Sequence, residues 1–230
     1  MNIRNFNIRF QHHDIKVKLP KGYFKRNAGP YPLVVVQDGD DLFKDIEREV
    51  IFVGLLPNDD DTIYASWQDV VEDEAFYKAA DDYILWISDE LLPYLKKCFN
   101  ISEQRRDISI VRASLGGLVA LYALFKKPDA FGTYILISPS IWYPGFLTFM
   151  KQQHIIKAEE HVYWYIGMLE DEQHPDINTN ILAQTEQGVD ILNELLISEQ
   201  MSFHFVTSSK GLHQKMYFKK YFNKAVKKLF

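Results

Sequence analysis

Ser114 lies in Ile110-Val111-Arg112-Ala113-Ser114-Leu115-Gly116-Gly117-Leu118-Val119-Ala120, an apolar strand-like run that passes through one turn of small residues into an Ala/Leu-rich helix. A serine at such a turn can act as a nucleophile. The bend lifts its hydroxyl clear of a sheet, and the new helix aims its first N–H groups and positive dipole end at any negative charge formed there. Residue type alone would also fit a helix N-cap. Acyl transfer to serine further needs a base for the hydroxyl proton, a group that orients the base, and donors for a tetrahedral oxyanion. His213 follows Ser208-Ser209-Lys210-Gly211-Leu212, a small-residue loop that leads into an amphipathic helix, and is the candidate base. His174 belongs to a different loop, His204 falls within a strand pattern, and His12 and His13 mark a hairpin turn. Between Met168 and Asp176 an acidic loop offers several carboxylates, Glu170 and Asp171 among them. A single histidine among carboxylates at no characteristic spacing makes a weak metal site, so no metal and no cofactor are expected.

The elements that must position these groups are legible as periodicities. Residues 3–10 and 14–19 alternate around Gln11-His12-His13 and predict an antiparallel hairpin, with Lys16 and Lys18 on one face and Ile15, Val17 and Leu19 on the other. From Leu33 the pattern changes to short continuous apolar runs, at Leu33–Val36, Ile51–Leu55, Ile108–Val111, Tyr134–Ile137, Val162–Ile166 and Phe203–Val206. Strands covered on both faces read this way. Helical spacing over Ala79–Cys98, Leu115–Phe125, Ile177–Leu196 and Lys215–Phe230 separates most of them, which predicts a mainly parallel sheet with right-handed crossovers and helices on both faces. Pro57–Glu74, rich in Asp, Trp and Tyr and without clean periodicity, reads as a long loop at the carboxyl end of a strand, where an open α/β sheet binds its ligands. Asp59, Asp60 and Asp61 within it read as a solvated turn.

Composition narrows the function classes. With 230 residues the chain can bury one large core, so one α/β domain over residues 1–230 is expected. A hydrophobic content of 47% excludes a disordered chain. The formal net charge of −5 argues against nucleic acid or an anionic membrane as partner. Lys215, Lys219, Lys220, Lys224, Lys227 and Lys228, at helical spacing, read as the solvated face of a last helix. Cys98 is the only cysteine, which rules out an internal disulfide and a multi-thiolate metal site. The amino terminus has no apolar signal core, and no run approaches the roughly 18 apolar residues of a membrane span. The expected location is the cytoplasm, and nothing in the composition sets an oligomeric state.

Six stretches, in order, resemble the putative-esterase family of α/β-hydrolases, which includes esterase D, siderophore esterases, bacterial feruloyl esterases and mycobacterial mycolyltransferases. They are Tyr31-Pro-Leu-Val-Val-Val-Gln-Asp38-Gly39, Asp89-Glu-Leu-Leu-Pro93-Tyr-Leu, Ser114-Leu-Gly-Gly117, Ser138-Pro-Ser-Ile-Trp142-Tyr, Gly167-Met-Leu-Glu170 and Gly211-Leu-His213. The resemblance implies an α/β-hydrolase fold and hydrolysis of a small-molecule carboxylic ester through an acyl-enzyme. It implies Ser114 as nucleophile, His213 as base and Glu170 as the acid, with Asp171 the nearest alternative. For the oxyanion it implies the N–H groups of Leu115 and Asp40. Asp38, Asp40 and Asp41 would place negative charge near the pocket mouth or cap the turn at Leu42. Trp142, Tyr143 and Trp67, on loops that should face the nucleophile, are candidates for an apolar substrate pocket or for packing beneath the loops.

One residue departs from the family pattern. Arg112 stands where the elbow sequence G-x-S-x-G has its first glycine, and a guanidinium there must find both space and partners. Either an adjoining loop opens and leaves Ser114 usable, or the elbow is distorted and activity is weakened. The alternatives that follow are a catalytically impaired binding protein on the same fold, and siderophore-esterase or acyltransferase chemistry on the same triad.

Overall fold

Apolar runs that alternate with amphipathic helices can cover both faces of every strand only if the sheet lies between two layers. The computed structural model describes residues 3–56, 73–154, 160–173, 180–196 and 202–230. Among these, eight strands form one sheet: β1 (Asn5–Phe10), β2 (His13–Lys18), β3 (Leu33–Asp40), β4 (Ile51–Leu55), β5 (Ile108–Ala113), β6 (Thr133–Ile137), β7 (His161–Gly167) and β8 (Ser202–Ser208). Their spatial order is β1-β2-β4-β3-β5-β6-β7-β8. β2 pairs antiparallel with β1 and β4, and every other neighbour is parallel. This is the α/β-hydrolase arrangement expected from the alternating pattern. The strand order reverses between β3 and β5, and the crevice outside the carboxyl ends of two such strands is where open α/β sheets hold ligands.

The helices are α1 (Asp73–Leu85), α2 (Leu92–Cys98), α3 (Leu115–Lys126), α4 (Phe146–Lys151), α5 (Glu170–Gln173), α6 (Ile181–Leu195) and α7 (Lys215–Leu229). The helix expected over 79–98 starts earlier and is broken by a π-helical stretch at Trp86–Leu91, where the Leu92 N–H reaches back to the Ile87 carbonyl. Pro93, at the start of α2, has no N–H to give to the preceding turn, and the wider turn accommodates that loss.

Alternate side chains of the strands feed two cores. Ile110, Tyr134 and Trp164 pack with Leu118 and Leu121 of α3 on one face, while Val34, Val111, Ile135 and Tyr165 pack with Phe222 and Val226 of α7 on the other. α3 is buried from Gly116 to Leu124, which is why its sequence is apolar all round rather than striped. Lys16 and Lys18 share a face of β2 as the alternation predicts. Lys18 is buried, and its ammonium donates to the carbonyl of Lys44 at 2.6 Å. Lys16 meets Asp40 at 3.0 Å. No helix among the described residues is long and apolar enough to cross a membrane.

Candidate active site

β5 ends at Ala113 and α3 begins at Leu115, so the whole turn is made at Ser114, whose φ of 57° and ψ of −134° lie outside the regions open to most L-residues. Backbone strain of this kind costs about 1–3 kcal/mol and persists only where neighbours over-determine it. Here the Ser114 N–H donates to Ile137 O at 3.0 Å, and Ser114 O accepts from Ser140 N–H at 3.1 Å and Leu118 N–H at 3.3 Å. On the next strand Ser138 repeats the device, with φ 45° and its N–H given to Tyr165 O at 2.7 Å.

Two loops bring the remaining groups to that turn. His213 Nε2 lies 2.9 Å from Ser114 Oγ, and its Nδ1 lies 2.9 Å from Glu170 Oε2. A carboxylate can only accept, so the ring proton sits on Nδ1 and Nε2 faces the serine hydroxyl as acceptor. Glu170 is 1% exposed. Its other oxygen accepts the Gly167 N–H at 2.8 Å and the Ser138 hydroxyl at 2.7 Å, which satisfies a buried carboxylate. The Tyr165 hydroxyl is pushed above the ordinary tyrosine range by burial first and then by the charge of Glu170. Close backbone approach holds the two loops together: Leu169 N–H donates to Gly211 O at 3.0 Å, and a Cβ on Gly211 would come within 2.6 Å of Gly167 Cα. Phe218 meets the His213 ring edge-on at 5.0 Å.

The adjacent carboxylates part company. Asp171 turns away from His213 and accepts the N–H of Ile181 at 2.8 Å, capping the start of α6. Asp40 ends β3 beside β5, and its carbonyl accepts from Phe43 and Lys44 in the turn that follows. Its carboxylate is held by Lys16, and that of Asp41 by Lys44 at 3.1 Å, so these two acids are charge-compensated. Leu115 supplies the first N–H of α3. Trp142 and Tyr143 follow β6 at the same end of the sheet, both half-buried, with Tyr143 packed against the core under the loop. Trp67 and His174 lie outside the described residues, as do 57–72 of the long loop. Ser138, whose hydroxyl reaches Glu170, was singled out by the sequence only as part of a motif. Among the described residues no group of three or more His, Cys, Asp or Glu is placed to hold a metal.

Arg112 neither opens the elbow nor pulls the serine from the histidine. It is 8% exposed, and its side chain runs across Gly116, where an added Cβ would stand 1.4 Å from Arg112 Cδ. The volume that the missing glycine would have left open is supplied from the helix side by Gly116. The expectation of a distorted elbow is corrected accordingly.

A strained serine stands at the switch point of an α/β-hydrolase sheet, 2.9 Å from a histidine in the loop that follows β8. The chain belongs to the family described as Putative esterase, whose model matches residues 11–229, and as a member it is a carboxylic ester hydrolase. It is 26% identical over 220 residues to the Uncharacterized protein YbbA of Bacillus subtilis, covering 89% of this chain and 88% of that protein, so the likeness is end to end. The Ferri-bacillibactin esterase BesA of the same organism is 29% identical over 123 residues, which is 48% of this chain but 42% of BesA, a partial match. Among solved structures, an IroE-like serine hydrolase from Shewanella oneidensis aligns with a TM-score of 0.72 at 20% identity, covering 95% of this chain and 75% of that one. Identity that low speaks for the fold alone.

Proposed function

We propose that the chain is a serine esterase that hydrolyses a small-molecule carboxylic ester through an acyl-enzyme, within one α/β-hydrolase domain. The observation that carries this reading is the His213 imidazole, 2.9 Å from Ser114 Oγ on one side and 2.9 Å from the buried Glu170 on the other. As Ser114 Oγ attacks the ester carbonyl, its proton passes to His213 Nε2, and the imidazolium so formed is stabilised by Glu170 through Nδ1–H. The tetrahedral oxyanion accepts from the backbone N–H groups of Leu115 and Asp40. Collapse expels the alcohol, which takes the proton from His213 and leaves acyl-Ser114. Water then attacks the acyl carbon with the same base, releasing the acid and restoring the serine. A siderophore ester is the second reading for the substrate, supported by the relative named for ferri-bacillibactin.

A fluorophosphonate probe tests the nucleophile, because only an activated serine reacts with it. Wild type should be labelled at Ser114, and Ser114→Ala or His213→Ala should lose about a thousandfold or more of kcat toward a short-chain aryl ester. A folded Ser114→Ala protein that turns over like wild type would remove Ser114 as the nucleophile, and a wild type that neither reacts with the probe nor turns over any ester would overturn the reading in favour of a binding protein on a hydrolase fold. A panel of short-chain, aryl and siderophore esters separates the substrate classes.

A further inference from the structure

A cavity of about 330 Å³ opens beside Ser114, on the face of the sheet covered by α7. Leu42, Ala113 and Phe218 give it an apolar wall, while Lys215, Lys219 and Asp41 stand at its rim. The two lysines belong to the run whose spacing reads as a solvated helix face, yet the first turns of α7 present them to the cavity beside Ser114.

The charge at that rim is one-sided. Asp41 is its only carboxylate among the described lining residues, and it already accepts from Lys44 at 3.1 Å. Lys215 Nζ stands 3.8 Å from the same carboxylate with its side chain 85% exposed, a loose pairing that a better-placed anion could replace. Asp40, the next carboxylate along, is held by Lys16 at 3.0 Å. Lys44, Lys215 and Lys219 all act on the Asp41 carboxylate, and Lys44 is shared with Asp40 and Asp45, so Lys215 and Lys219 are the cations that line the cavity itself, in a chain whose net charge is −5. A concave site of this size fits one arm of a small ester rather than the whole of a large one. The arm can also be named. His213 must deliver its proton to the departing oxygen, so the alcohol leaves on the histidine side, and Phe218 joins that side to the cavity by its edge contact with the imidazole.

We infer that the cavity receives the alcohol arm of the ester, and that this arm has a short apolar or aryl body ending in a carboxylate or comparable acidic group that Lys215 and Lys219 recognise. The inference rests on the reading of Ser114 as the attacking nucleophile. Apolar contact with Leu42 and Phe218 positions the body, and the two cations favour the acidic end at the rim, where water and salt screen but do not cancel the attraction.

The test compares 4-carboxyphenyl butyrate with its methyl ester, 4-(methoxycarbonyl)phenyl butyrate, in wild type and in Lys215→Gln/Lys219→Gln. Comparing the ratio of the two kcat/KM values between proteins removes the intrinsic difference in leaving-group reactivity. The carboxylate-to-methyl-ester ratio should fall by about tenfold in the double variant, and in wild type it should fall as ionic strength is raised. A ratio unchanged by the double substitution, or insensitive to salt in wild type, overturns the inference while leaving the serine esterase reading standing. Undiminished turnover of both esters by Ser114→Ala would instead remove that reading, and the inference with it.

Discussion

Arg112 and Gly116 form one fitted pair, and a single added methyl group tests the fit. A Cβ on Gly116 would stand 1.4 Å from Arg112 Cδ and 2.1 Å from its Cγ and Nε, far inside the roughly 3.5–4 Å of an ordinary carbon contact. The obstacle is the middle of the arginine side chain rather than its tip. With Arg112 only 8% exposed, the whole side chain must leave its seat before Gly116→Ala can fold. Overpacking of this kind costs about 1–3 kcal/mol, and the better helix propensity of alanine offsets at most about 1 kcal/mol of it. Gly116→Ala should therefore lower the unfolding free energy by about 1–2 kcal/mol. Because the same turn carries Ser114 and the Leu115 N–H, a displacement of about 1 Å there should lower kcat/KM on an aryl ester about a hundredfold. Arg112→Ala removes the obstacle, and in that background Gly116→Ala should be neutral or stabilising by up to about 1 kcal/mol. Urea unfolding of the four proteins then gives a coupling of about 2 kcal/mol, from which the independent effect of losing the arginine cancels. An equal cost of Gly116→Ala in both backgrounds would refute the fitted pair and return Arg112 to the role of an intruder in the elbow.

Three further outcomes follow from the geometry. Ser138→Gly keeps the positive φ but removes the hydroxyl 2.7 Å from Glu170; kcat should fall about tenfold with KM nearly unchanged, and a rise in KM alone would assign Ser138 to packing instead. Asp171→Ala should cost about 1 kcal/mol of stability through the lost cap on Ile181–Leu195 while leaving kcat near wild type, whereas Glu170→Gln should do the opposite; dead Asp171→Ala with active Glu170→Gln would move the acid by one residue. His204 is held below the ordinary histidine range by burial first, with Lys228 and His161 adding to it. The unfolded chain therefore takes up this proton at a higher pH than the folded one, so stability should decline as pH falls through about 6.5 and continue to decline until the folded ring also protonates. Denaturant unfolding of wild type and His204→Gln across that window checks this, and an equal acid loss in both would exclude His204 as a source.

The strands were legible because their chemistry is one-dimensional. A run such as Leu33–Val36 must be covered on both faces wherever it lies, and β3, β4 and β5 pair in parallel register as that demands. The turn at Ser114 was legible for a similar reason, since only Ala113, Gly116 and Gly117 leave room around it. Contacts between elements were not. Glu170 and Asp171 are neighbours of the same chemical type, and only the direction of a four-residue helix sends one to His213 and the other to the N–H of Ile181. Helical spacing put Lys215 and Lys219 on one face of α7 but could not say that the face meets a cavity beside Ser114. Ser138 reaches Glu170 because β6 and β7 lie side by side, a relation that no local pattern carries.

Arg112 shows why an elbow motif read position by position misleads. G-x-S-x-G states which positions are usually empty of side chain, but the physical requirement is that the volume between the end of β5 and the start of α3 be filled once. A side chain on the strand is compatible with that requirement when the helix residue facing it has none. Arg112 supplies the filling and Gly116 the vacancy, with the elbow still formed at Ser114 and the hydroxyl still 2.9 Å from His213 Nε2. The tolerance is not general. Gly117, next along, would bring a Cβ to 3.0 Å of both Pro139 Cα and Cβ and to 3.2 Å of Arg112 O, a contact with backbone and a rigid ring that no rotamer change can relieve. Of the two glycines that follow Ser114, one is therefore set by a side chain that lies across it, and the other by a tight approach of Pro139 that only a shift of a few tenths of an ångström in that backbone would relieve. Substitution at Gly116 can be rescued from Arg112, and substitution at Gly117 cannot.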